Sequence, residues 1–177
     1  LTAADGDTKI SPLHHLLRDK EEKMNSKVLL LSFVVLCLST VVGYADNPHM
    51  GSWKLNEAKS KLNPGGSKNT MVAYETAGDM IKATVDGVDG SGNPIHNEWT
   101  GKFDGKDYSV TGDPTSDLRA YKMINARTLA MTSKKDGKVV LTARITVATD
   151  GKTRTVTVNT TDANGKKVTS TAFYDKQ

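Results

Sequence analysis

Asp136-Gly137-Lys138-Val139-Val140-Leu141-Thr142-Ala143-Arg144-Ile145-Thr146-Val147-Ala148-Thr149-Asp150-Gly151 is the stretch that decides the fold. Between its two Asp-Gly pairs, Val139, Leu141, Ala143, Ile145 and Val147 share one face of an extended chain, with Thr142, Arg144 and Thr146 on the other. Side chains alternate across a strand with period two, so the pattern describes a strand with one buried face. Asp-Gly suits the positive φ angles of a tight hairpin turn, which sends the chain back antiparallel to itself.

The same unit recurs on both sides. Asp86-Gly87, Asp89-Gly90, Asp104-Gly105 and Asn164-Gly165 repeat the turn signal. Lysine follows at Lys106, Lys138, Lys152 and Lys166, as a solvated strand start that discourages edge pairing. Ile81, Ala83 and Val85 oppose Lys82 and Thr84; Ile95, Asn97, Trp99, Gly101 and Phe103 oppose His96, Glu98, Thr100 and Lys102. Val156 and Val158 oppose Thr155, Thr157 and Asn159. The pattern predicts ten strands: 51–56, 70–77, 80–86, 95–103, 106–111, 118–124, 128–134, 138–148, 153–161 and 167–175. Glu57 to Leu62 is the one helix candidate, stopped by Pro64-Gly65-Gly66. Ten strands on short turns make an antiparallel up-and-down meander, and closure into a barrel of about 8–10 strands removes its exposed edges. A sandwich would need longer crossings, and only Gly112 to Asp117 has room for one.

The barrel domain is expected over 46–177. Before it, Val28 to Val42 is a run of 15 residues without charge, shorter than the roughly 20 needed to span a bilayer. Met24 and Lys27 precede the run, and Gly43-Tyr44-Ala45 follows it with small residues where a signal peptidase reads. Residues 24–45 therefore read as a secretory signal peptide cleaved after Ala45. Cys37 lies in mid-run and leaves with it, so 46–177 contains no cysteine and gains nothing from disulfides. Residues 1–23 read as a non-native, disordered upstream extension. Periplasmic or secreted localisation follows, with no stable membrane anchor after cleavage.

Composition excludes several classes of function. The 177 residues carry 24 basic and 20 acidic side chains, and the signs are interspersed rather than gathered into a stripe that would track a nucleic acid. His49 and His96 stand far apart without cysteine, so no metal is expected, and no cofactor. His49 is expected in a flexible start and His96 on the polar face of a strand. No nucleophile stands beside a base, so the chain reads as a non-enzyme.

Gly51-Ser52-Trp53-Lys54-Leu55 resembles the opening motif of the calycins, the lipocalins and fatty-acid-binding proteins. Ser170-Thr171-Ala172-Phe173-Tyr174-Asp175-Lys176 is similar to the closing strand of the fatty-acid-binding branch. The resemblance implies a lipocalin-like barrel whose closed end is packed by Gly51 and Trp53. Three departures are visible. Ala172 stands where that branch has a carboxylate-binding arginine, no helical lid follows the first strand, and no arginine stacks on Trp53 from the last strand.

A barrel of this size can fill itself or hold a small ligand. Ala73, Ala83, Ala130, Ala143, Ala172, Val85, Val156 and Val158 are small inward candidates, and Tyr74, Trp99, Arg119, Tyr121, Arg144 and Tyr174 are candidate ligand-binding residues. The alternative for each is that the aromatics are core and the arginines face water. The leading expectation is an exported, lipocalin-like binding protein for a small apolar or amphipathic ligand. The alternative is a ligand-free structural or interaction module of the cell envelope.

Overall fold

The computed structural model describes residues 47–161 and 165–177, within a unit that runs from Asp46 to Gln177. The expected signal peptide, its cleavage site after Ala45 and the upstream extension lie outside the described residues.

Ten strands run in chain order: β1 Gly51–Leu55, β2 Lys68–Ala77, β3 Met80–Val88, β4 Pro94–Gly101, β5 Tyr108–Thr111, β6 Leu118–Asn125, β7 Thr128–Lys135, β8 Lys138–Val147, β9 Thr153–Thr161 and β10 Lys167–Lys176. Each pairs antiparallel with its neighbours in sequence, and β1 pairs with β10 through Trp53↔Lys176, Lys54↔Asp175 and Leu55↔Tyr174. The sheet is thus a closed up-and-down barrel. Closure satisfies the edge backbone groups that an open meander would expose.

The turns explain the tight connectivity. At the β7–β8 hairpin Asp136 has φ 49° and Gly137 φ 75°, the paired positive values of a two-residue turn that matches strand twist. Asp86-Gly87 differs from its sequence reading. It lies inside β3, where Gly87 passes so close to the Lys68 carbonyl that any Cβ would overlap it, beside a β2 bulge between Asn69 and Met71.

Two segments depart from the simple alternation. Lys134 pairs with Val139 whereas Ser133 pairs with Leu141, so Val140 is an extra residue that breaks the period. Val139 is therefore turned to the outer face and is 56% exposed, against the inward position that the alternation gives it. The helix candidate shrinks to one 3-10 turn, Glu57–Lys59, capped by the Asn56 side chain on the Lys59 amide. Lys61 then rejoins the sheet by bridging to Thr171.

The core lies inside the barrel. Trp53, Val72, Tyr74, Ala83, Val85, Trp99, Val110, Tyr121, Leu129, Ile145, Val147, Ala172 and Tyr174 form one buried cluster. Ala73 and Ala130 do not belong to it: they pair with Thr84 and Lys122 on the outer face.

Candidate functional site

The interior has two unlike ends. At the end where β1 begins, the segment before it folds across the barrel as a turn, with the Met50 amide bonded to the Asn47 carbonyl. That turn buries His49 completely and presents its carbonyl to the Trp53 indole N–H at 2.9 Å. Phe103 seals the same floor from beyond β4, edge-on to His49 and to Tyr74 at centroid separations of 6.2 and 6.1 Å. Trp99 stands at the centre of the aromatic layer, 4.7 Å from Tyr121 and 5.8 Å from Tyr108, with its indole N–H on the Arg119 carbonyl at 2.8 Å. Edge-to-face contacts of this kind place the positive ring edge on the negative face of the neighbour.

An arginine enters that layer. Arg154, on the inward face of β9 with Val156 and Val158, is 2% exposed. Its guanidinium lies 4.8 Å from the Trp53 ring centre, 5.3 Å from Tyr74 and 4.7 Å from Tyr174. The arginine that the sequence fails to show on the last strand thus comes from the strand before it. Lys176 of β10 adds a second cation 5.3 Å from the Trp53 ring. The sequence signal for Arg154 is its parity, two residues before Val156 in an alternating run, but a charged residue is assigned by default to water.

The opposite half is lined differently. Met131, Leu141, Val156, Val158 and Ser170 are only half-buried, Met131 and Val156 packing against the core cluster. Their register places them inward, since Ala143, buried, pairs with both Met131 and Val158, and Val158 pairs with Ser170. These inward residues remain partly exposed, beside the small, buried Ala143.

Arg119 borders this half. It is buried, donates to Asn97 Oδ1 at 3.2 Å and to Asp113 Oδ2 at 2.9 Å. Asp113 sits in the long β5–β6 link and also accepts from the Thr115 amide, the Thr115 hydroxyl and the Ser116 hydroxyl. Burial pushes its carboxyl upward, but those donors and the Arg119 charge outweigh it and hold the group below the usual carboxylate range. The Arg119 guanidinium is thereby neutralised where it borders the lumen.

The six ligand-binding candidates therefore separate. Tyr74, Trp99, Tyr121 and Tyr174 are 1–4% exposed and belong to the packed floor. Burial raises the Tyr74 and Tyr174 hydroxyls above their ordinary range. Arg119 borders the lumen. Arg144 is corrected: it is exposed on the outer face of β8, paired with Ala130 and Thr157 and one residue out of phase with the buried Ala143 and Ile145. Gly51 and Trp53 lie at the sealed end, Gly51 with φ 90° and Trp53 with no exposed surface. His49 is a further correction, because the expected flexible start is a buried plug. His96 is exposed on the barrel wall, its Nδ1 2.6 Å from Asp86.

The buried plug predicts acid sensitivity. Burial, then the Arg154 and Lys176 charges, lower the His49 pKa from 6.5 to about 4. The unfolded chain thus binds the extra proton first as pH falls. Stability from the neutral imidazole is full above about pH 6.5 and is lost progressively down to about pH 4, up to about 3 kcal/mol in all. Urea unfolding followed across that range is expected to lose this slope in His49→Leu; an unchanged slope would contradict the placement.

No protein-family model matches the chain, and no curated protein matches it. Among solved structures, it is similar to a redesigned β barrel, mFAP1, bound to DFHBI, at 15% identity over 73% of this chain and 95% of that one, with a TM-score of 0.41. It is likewise similar to EF1p2_mFAP2b bound to DFHBI, at 12% identity over 73% of this chain and 94% of that one, with a TM-score of 0.44.

Proposed function

We propose that the chain is an exported, lipocalin-like binding protein that takes a small apolar or amphipathic molecule into the half of its lumen lined by Leu141, Val158 and Ser170. The observation that carries this reading is the unequal filling of the two ends. One end is packed with aromatic rings, whereas inward residues of the other keep partial contact with water. Water held against Val and Leu side chains is released when an apolar ligand replaces it, a gain of about 25 cal/mol for each Å² covered. The Arg119–Asp113 pair supplies polarity at the lumen border without a free charge, which suits a hydroxyl or carbonyl better than a carboxylate. Export rests on the sequence features of 24–45.

The test uses a dansyl-labelled dodecyl chain excited by energy transfer from Trp53 and Trp99. One-to-one saturable transfer is expected for the native chain. Val158→Trp should fold with little loss of stability and bind at least about tenfold more weakly, because the ring fills space that the ligand needs. A Val158→Trp chain that is strongly destabilised, together with no transfer in the native protein, would mean a filled interior and favour the ligand-free interaction module.

A further inference from the structure

Among the described residues, six buried side-chain nitrogen and oxygen atoms have no hydrogen-bond partner, and four belong to two residues of the sealed floor. They are Nδ1 and Nε2 of His49 and Nε and Nη1 of Arg154. Both residues meet at Trp53, whose ring lies under the guanidinium and whose indole N–H is bonded to the His49 carbonyl. None of the ion pairs among the described residues joins Arg154 or Lys176 to a carboxylate. Arg154 thus stands buried on the indole with no carboxylate paired to it, while the exposed Lys176 lies 5.3 Å from the same ring.

An uncompensated charge removed from water is among the most expensive features a core can hold. Three aromatic faces offset part of that cost for Arg154, but a ring face leaves the N–H donors unsatisfied. A buried group of this kind calls for a water or an ion. Water would supply acceptors without charge; an anion supplies both. The surroundings also keep bulk solvent away, since Trp53, Tyr74 and Tyr174, the three rings around the guanidinium, are 0–4% exposed.

We infer that the sealed floor is a binding site for a small inorganic anion, of halide or nitrate size, held by Arg154 and His49 over the Trp53 ring with Lys176 contributing charge. The site is separate from the proposed ligand half of the lumen and does not depend on it. Imidazole serves the anion as a donor from either ring nitrogen, so His49 takes part without becoming charged. The bound anion stabilises the folded chain by mass action because the unfolded chain lacks the site.

Thermal unfolding of the full chain in sodium chloride is compared with sodium gluconate at equal ionic strength, gluconate being too large to enter. The native protein is expected to melt about 5 °C higher in chloride once the salt is about tenfold above its dissociation constant. Arg154→Met should lose that difference, whereas Val158→Trp should keep it. Crystals of the native chain soaked in bromide provide a reading that needs no variant. An anomalous peak within about 3.5 Å of an Arg154 or His49 side-chain nitrogen is expected. Equal melting in the two salts, a difference that survives Arg154→Met, or a floor without a bromide peak would overturn the inference in favour of water.

Discussion

Trp99→Ala is expected to destabilise the barrel by about 3–5 kcal/mol, the range for truncating a fully enclosed aromatic. Trp99 is 1% exposed and touches Phe103, Tyr108 and Tyr121, so its removal unpacks three rings at once. Collapse cannot recover the loss, because the neighbours are held by closed strands on every side. The Arg119 carbonyl also loses the indole donor. The fit is close enough to leave its mark on the backbone: a Cβ at Gly101 would stand 2.6 Å from both the Trp99 and Tyr108 rings. Urea unfolding followed by far-ultraviolet circular dichroism measures the loss. A cost under about 1 kcal/mol would mean that the ring sits in space rather than in a packed floor.

Asp113→Ala is the second large effect, for an electrostatic reason. It removes the carboxylate that neutralises Arg119, with side-chain exposures of 13% and 8% for the two partners. Breaking a buried pair from one side leaves the other charge uncompensated, at about 3–5 kcal/mol. Arg119→Met alone should cost less, since Asp113 keeps its Ser116 and Thr115 donors. The double variant should be milder than the sum of the singles, because the stranded charge is gone. Equal additive costs in a double-mutant cycle would show that the pair is not coupled.

Much of the barrel was legible in the chain because a half-buried strand writes its own period. The Ala143, Ile145 and Val147 alternation and the Asp136-Gly137 turn both depend on near neighbours, and all ten strands were readable on that basis. The exceptions have long-range causes. Val139 is turned outward by an extra residue, a bulge that only the β7 partner makes visible. Gly87 looked like a turn residue, yet its requirement is the passage of the Lys68 carbonyl from another strand.

The site was harder to read because charge and burial point in opposite directions there. Arg144 and Arg154 are chemically identical, and parity alone separates them: the first shares its face with Thr142 and Thr146, the second with Val156 and Val158. Parity was available, but only three facing rings make a buried arginine tolerable, and those rings come from β1, β2 and β10. His49 carried no signal, since Asn47-Pro48-His49-Met50 has the composition of a loose lead-in. Asp113 lay unremarked in the link from Gly112 to Asp117, because its ion pair with Arg119 depends on how that link folds.

Cysteine accessibility tests the two-ended lumen most directly, since the only native thiol, Cys37, can be replaced by serine. In that background Val158→Cys and Ser170→Cys are expected to react with a small maleimide at nearly the rate of an exposed thiol. Ala83→Cys, with no exposed surface, should react only through unfolding, at least about a hundredfold more slowly. Equal protection at all three positions would contradict an unfilled half, and equal reactivity would contradict a sealed floor.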